Sequence, residues 1–127
     1  MQKPKKIIKK VYIFGNEYVN QDNFAHKVAG FFKKPFKHVH CESPDFLFDT
    51  KEKDITIIDV VQNIEEPLII VDADQVMSNN IVSLHDFDLG FTLKLLKKLG
   101  KEKNIKIIGI PSKGDPEKIA KKVEKWI

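Results

Sequence analysis

The chain has 127 residues, 42% hydrophobic and 31% charged, with six Gly and six Pro, which fits one globular domain over 1–127 and argues against disorder, a fibre or a second large domain. Its apolar runs, such as Leu68–Val71, are too short to cross a bilayer, and its lone cysteine, Cys41, excludes a disulfide framework or a Cys-rich zinc module. The net charge is +4, carried by 22 basic residues that are all lysine; without the arginine fork that best reads phosphates and guanine edges, nucleic-acid binding is not expected.

That charge is segregated. Residues 1–37 hold nine Lys and two acids, residues 38–92 two Lys and twelve acids, and residues 93–127 eleven Lys and four acids. The lysine-rich ends suit a solvated surface and could also steer an acidic partner. Only Val11–Phe14 follows the first lysines, too little for a secretory leader, so no membrane insertion and a cytoplasmic location are expected.

Val11–Phe14 is the first predicted strand, halted at Gly15-Asn16. From Asp22 onward Phe24, Ala25, Val28, Phe31 and Phe32 recur at helical spacing and face inward until Pro35 closes the helix, leaving His26 on its polar flank. Phe36 to Cys41 alternates like a strand near a sheet edge, with His38 and His40 on one side. Ser43-Pro44 can start a short helical turn carrying Phe46 and Leu47. Ile55–Val61 and Pro67–Val71 read as further strands from their β-branched composition. Residues 72–84 show no period and are expected to form a loop. Asp88 can cap a helix whose stripe is Leu89, Leu93, Leu96 and Leu99, with Gly100 at its C′ position. Ile105–Ile110 is the last strand, and Asp115-Pro116-Glu117 opens a helix lined by Ile119, Ala120, Val123 and Trp126. Helices between most strands predict an α/β fold, a three-layer α/β/α sandwich around a mixed, mostly parallel sheet.

In such sheets ligands gather beyond the carboxyl ends of the strands, which directs attention to Asp22, Asp59 and His85. Two carboxylates and an imidazole suit a divalent transition ion with positions left open. Asp22 has a second reading as the N-cap of the first helix. An isolated histidine such as His85 is more often a surface residue. Asp59 interrupts a Val/Ile strand, where a carboxylate needs a partner, hydrogen bonds or a strand-end cleft, and this favours function. Gly15-Asn16 suits a strand-ending turn, and also lets backbone N–H groups approach a ligand closely.

The stretch Gly15-Asn16-Glu17-Tyr18-Val19-Asn20-Gln21-Asp22-Asn23-Phe24-Ala25 resembles the N-terminal signature of the hydrogenase maturation endopeptidases, a strand ending in Gly-x-Gly-Asn followed by an acidic pair and a small helix residue. The resemblance puts Asp22 on the family's metal-binding acid, Gln21 on the acid before it and Ala25 on the helix glycine. Asp54 to Val61 is similar to the family's central strand ending in Asp-Ala, with Asp59 on the second ligand, and Pro67–Val71 to the strand after it. Ser83-Leu84-His85-Asp86-Phe87-Asp88-Leu89 is similar to its Ser-x-His segment, with His85 on the third ligand, and Ile107-Ile108-Gly109-Ile110-Pro111 to its late strand. Asp72 in Ile69-Ile70-Val71-Asp72-Ala73 is the alternative second ligand, but it leaves no room for the intervening strand before His85, so Asp59 is preferred. The chain departs from the pattern where Ile13 replaces the first glycine, Gln21 an acid, Asn23 and Ala25 glycines, and Glu42-Ser43-Pro44 a Gly-Thr-rich loop.

The resemblance implies a phosphorylase/hydrolase-like sandwich and a peptidase that removes the C-terminal extension of a nickel-iron hydrogenase large-subunit precursor after nickel insertion. Asp22, Asp59 and His85 would meet the nickel carried by that precursor, Asp22 and Asp59 would serve catalysis, Gly15 and Asn16 would line the substrate loop, and no organic cofactor is implied. Two other readings stand beside it. One is a non-catalytic scaffold of the same fold, suggested by Gln21 and the lost glycines. The other is a receiver-like phosphoacceptor domain using Asp59 and Lys113, for which only Glu17 could supply a magnesium ligand after the first strand.

Overall fold

The computed structural model describes residues 8–15, 23–41, 45–62, 64–71, 82–83, 89–101 and 103–127, with the side chains of 82–83 and 89–93 left aside. The elements run β1 (Lys10–Phe14), α1 (Phe24–Ala29), β2 (Lys37–Cys41), α2 (Phe46–Asp49), β3 (Asp54–Gln62), β4 (Leu68–Ile70), β5 (Val82–Ser83), α3 (Leu89–Lys98), β6 (Asn104–Pro111) and α4 (Pro116–Glu124). The strands form one sheet in the order β2-β1-β3-β6-β4, with β5 joined to β3. The contacts β1–β2, β1–β3 and β3–β6 are parallel, whereas β4 lies antiparallel on β6 and β5 antiparallel on β3. This is the predicted mixed, mostly parallel α/β sheet.

Alternation along the strands divides the core between the two faces of the sheet. Tyr12, Phe14, Ile55, Ile57, Val61, Ile105 and Ile107 pack on one side against Leu47 of α2 and Leu96 of α3. Val11, Ile13, Ile58, Val60, Ile108 and Ile110 pack on the other against Ala25, Val28 and Ala29 of α1 and Ile119, Ala120 and Val123 of α4. Because helices cover both faces, the central strands β3 and β6 are buried at nearly every position rather than at alternate ones.

Two helix ends follow their sequence signals closely. Asp115 caps α4, its Oδ1 accepting the Glu117 N–H at 3.0 Å with Pro116 in the first turn. Past α3, the Gly100 N–H donates to the Lys97 carbonyl at 3.1 Å and the Lys101 N–H to the Leu96 carbonyl at 2.9 Å, a paired closure that requires the positive φ of 70° at Gly100.

Other expectations need correction. The first helix stops at Ala29 instead of reaching Pro35, because the next free backbone donors find a side chain: Glu124 Oε1 of α4 accepts the Lys33 and Lys34 N–H groups at 2.6 and 2.8 Å. Phe31, expected to face inward, lies in the turn beyond and is 46% exposed. Leu99, placed on the α3 stripe, is 54% exposed because it sits past the last helical turn. Pro67–Val71 contributes only three strand residues at the sheet edge, paired with β6. The region 72–84, read as a loop, contains β5 at Val82–Ser83. Among the described residues no helix is long and apolar enough to cross a membrane.

Candidate functional site

From β1 the chain steps outward to β2, then returns past β1 to β3 and continues to β6, so the direction of winding reverses between β1 and β3. The carboxyl ends of two such strands diverge and leave a crevice, the general ligand position of open α/β sheets. Asp59 lies on β3 at this point, one residue beyond the Ile13–Ile58 pair that closes the β1–β3 ladder.

The edge of β3 that faces β1 is shared by two strands. Val61 pairs with Pro111 of β6 on one side and with Ser83 of β5 on the other, so β5 takes the place along β3 that β1 has vacated. Asp59 and Val60 lie between the end of one ladder and the start of the next. Gly15 leaves β1 on one side of this break, and Ser83, two residues before His85 in sequence, reaches it from the other.

Asp59 is 0% exposed, on the face that carries Phe14, Ile57 and Val61. The structure withdraws it from water. A carboxylate in that setting is costly to bury, on the order of several kcal/mol, unless donors or a cation compensate. Its neighbour in register is Gly109 of β6, where a Cβ would come within 3.0 Å of Val61 Cγ2 and 3.7 Å of Ile70 Cδ1. A glycine inside an apolar strand is the sequence signal of such a close approach, and it points to the position opposite Asp59.

Asp22, Asn16 and His85 lie outside the described residues, as do Gln21 and Asp72. The residue at the N-cap of α1 is Asn23, and its side chain makes no capping hydrogen bond. Among the described residues no group of three His, Cys, Asp or Glu side chains is placed to hold a metal ion.

Gly15 is described, and its φ of 128° lies where only glycine is at ease. Its N–H donates to the Cys41 carbonyl of β2 at 3.1 Å, and its carbonyl accepts from His26 Nε2 of α1 at 2.8 Å. The His26 ring in turn stacks on His40, with centroids 4.4 Å apart and planes 11° from parallel. His26 is therefore half-buried at the end of β1 rather than on a polar flank. Sequence periodicity missed this role because the contact is made across eleven residues and depends on where α1 docks.

His38 and His40 do lie at an exposed sheet edge, as expected. Partial burial, aided by the neighbouring His40 and His26, lowers the pKa of His38. Burial raises the Cys41 thiol to about 11, which opposes thiolate chemistry there. Lys113, exposed after β6, follows a sheet whose outer strand β4 is antiparallel, unlike the all-parallel doubly wound order that a receiver-like domain requires.

No family model matches the sequence, and no curated protein is significantly similar to it. A solved structure described as the hydrogenase 3 maturation protease superimposes with a TM-score of 0.59, over 93% of this chain and 88% of that one, at 16% sequence identity. The chain thus shares the fold of a hydrogenase maturation protease.

Proposed function

We propose that the protein is an endopeptidase that trims the C-terminal extension of a nickel-iron hydrogenase large-subunit precursor once nickel has been inserted. The observation that carries this reading is the position of Asp59. It is a carboxylate inside an apolar central strand, at the winding reversal of the sheet and at the break between the β1 and β5 ladders, in a fold shared with a hydrogenase maturation protease.

In this reading Asp22, Asp59 and His85 recognise the nickel that the precursor carries, so the metal serves as a checkpoint on the substrate. The peptide backbone at Gly15 and Asn16 receives the adjacent chain, and an aspartate of the pair assists hydrolysis. No organic cofactor takes part, the partner is the precursor rather than nucleic acid, and the reaction belongs in the cytoplasm. The reading carries one requirement. Asp59 is shut off from water in the free chain, so the docking precursor must displace what covers it.

The test incubates the protein with nickel-loaded and nickel-free precursor and follows tail removal by mass spectrometry. Trimming of the loaded form alone is expected, and it should be lost in Asp59→Asn and His85→Ala. Binding of loaded precursor without trimming by the wild type would instead identify a non-catalytic scaffold. Equal trimming by those variants would remove the assigned site.

A further inference from the structure

Three contacts and one chain link close a ring around the end of β1. Gly15 is held through its N–H by Cys41 and through its carbonyl by His26, His26 stacks on His40, and His40 precedes Cys41 on β2. We infer that His26 is a positioning residue that sets the Gly15 peptide where β1 ends, at the winding reversal of the sheet.

Elementary chemistry fixes how His26 can do this. A carbonyl oxygen only accepts, so the ring nitrogen facing Gly15 must carry the proton. Nδ1 is buried with no hydrogen-bond partner among the described residues, so the contacts accommodate the Nε2–H tautomer. The His40 ring, stacked on the imidazole, fixes its plane, and the bond to the Gly15 carbonyl fixes which nitrogen faces β1. Two imidazoles lying face to face do not aim their in-plane lone pairs at a common point, which argues against a chelating pair and for a braced hydrogen bond. Gly15 needs such bracing because its positive φ is one of many backbone states open to glycine.

The consequence for substrate rests on the endopeptidase reading, whereas the effect on Gly15 does not. The test therefore measures both in the full chain. His26→Phe keeps a flat ring against His40 and loses the donor, and His26→Gln keeps an N–H donor. In His26→Phe the Gly15 amide, followed by hydrogen exchange in NMR, should exchange about fivefold faster relative to Ile58. KM for nickel-loaded precursor should rise by about the same factor, with kcat within about twofold of wild type. His26→Gln should restore both, and 15N shifts of the wild-type ring should report Nε2–H. Unchanged Gly15 exchange in His26→Phe, or a His26→Gln as impaired as His26→Phe, would overturn the inference. Failure of the wild type to cleave would remove the endopeptidase reading alone, with Gly15 exchange still deciding the role of His26.

Discussion

At the amino end of the sheet the Glu52 carboxylate accepts from Lys10 Nζ at 2.7 Å and from the Tyr12 hydroxyl at 2.9 Å, while Lys103 Nζ donates to the Thr50 and Glu52 carbonyls at 2.7 and 2.8 Å. The Lys10 and Glu52 side chains stay within reach of water, so their pairing replaces a hydrated state at little cost. At the carboxyl end Asp59 is fully withdrawn from water among Phe14, Ile57 and Val61. The first arrangement is what folding alone would select to tie strand starts together. The second places a carboxylate where its burial must be compensated, and buried ionisable groups concentrate where a protein acts.

The sharpest way to break this contrast is Asp59→Asn. Tail removal should fall by about a hundredfold or more, with a single cooperative unfolding transition in urea retained. A stability collapse would show instead that Asp59 is structural. Next in size is Gly109→Val, which forces side-chain atoms into the space beside Val61 and Ile70 and should cost about 1–3 kcal/mol in denaturant unfolding. Away from both sheet ends, Asp115→Ala removes the acceptor of the Glu117 N–H and should cost about 1 kcal/mol.

The smallest effect belongs to the amino end. Glu52→Gln should lose less than about 1 kcal/mol at neutral pH, since the Lys10–Glu52 pair is partly exposed. The bond from Lys10 lowers the Glu52 pKa, so the carboxylate's contribution is complete above its unfolded value and disappears as pH falls through the lower folded value. Wild type and Glu52→Gln should therefore converge in acid. At the alkaline limit the sign reverses for Tyr12, whose hydroxyl is raised to about 12 by burial and by Glu52. Its contribution is complete below the unfolded value near 10 and is lost as pH rises through about 12, which ultraviolet titration of the phenolate can follow.

Much of the fold was legible residue by residue. Strong local signals gave the right element: β-branched runs for β3 and β6, Asp115-Pro116 for the start of α4, and Gly100 for the end of α3. Errors arose where a distant partner overrode the local pattern. Phe31 fits the helical period, but Glu124 draws the following backbone N–H groups out of the helix. Val82–Ser83 has no periodic signature, because a two-residue strand exists only by pairing with Val61 and Gln62. Of the candidate site, Asp59 was visible as a carboxylate misplaced in an apolar run, whereas its complete burial was not, since local sequence does not report what lies above a strand end.

The sequence by itself determined the alternation of strands and helices, the caps, and the one acidic residue at odds with its strand, because these depend on properties of neighbouring residues. Only the tertiary structure decided that winding reverses between β1 and β3, that β5 continues the edge β1 leaves, and that His26 reaches back to Gly15. Those relations join residues far apart along the chain, and their energy exists only once both sides are packed against a common core.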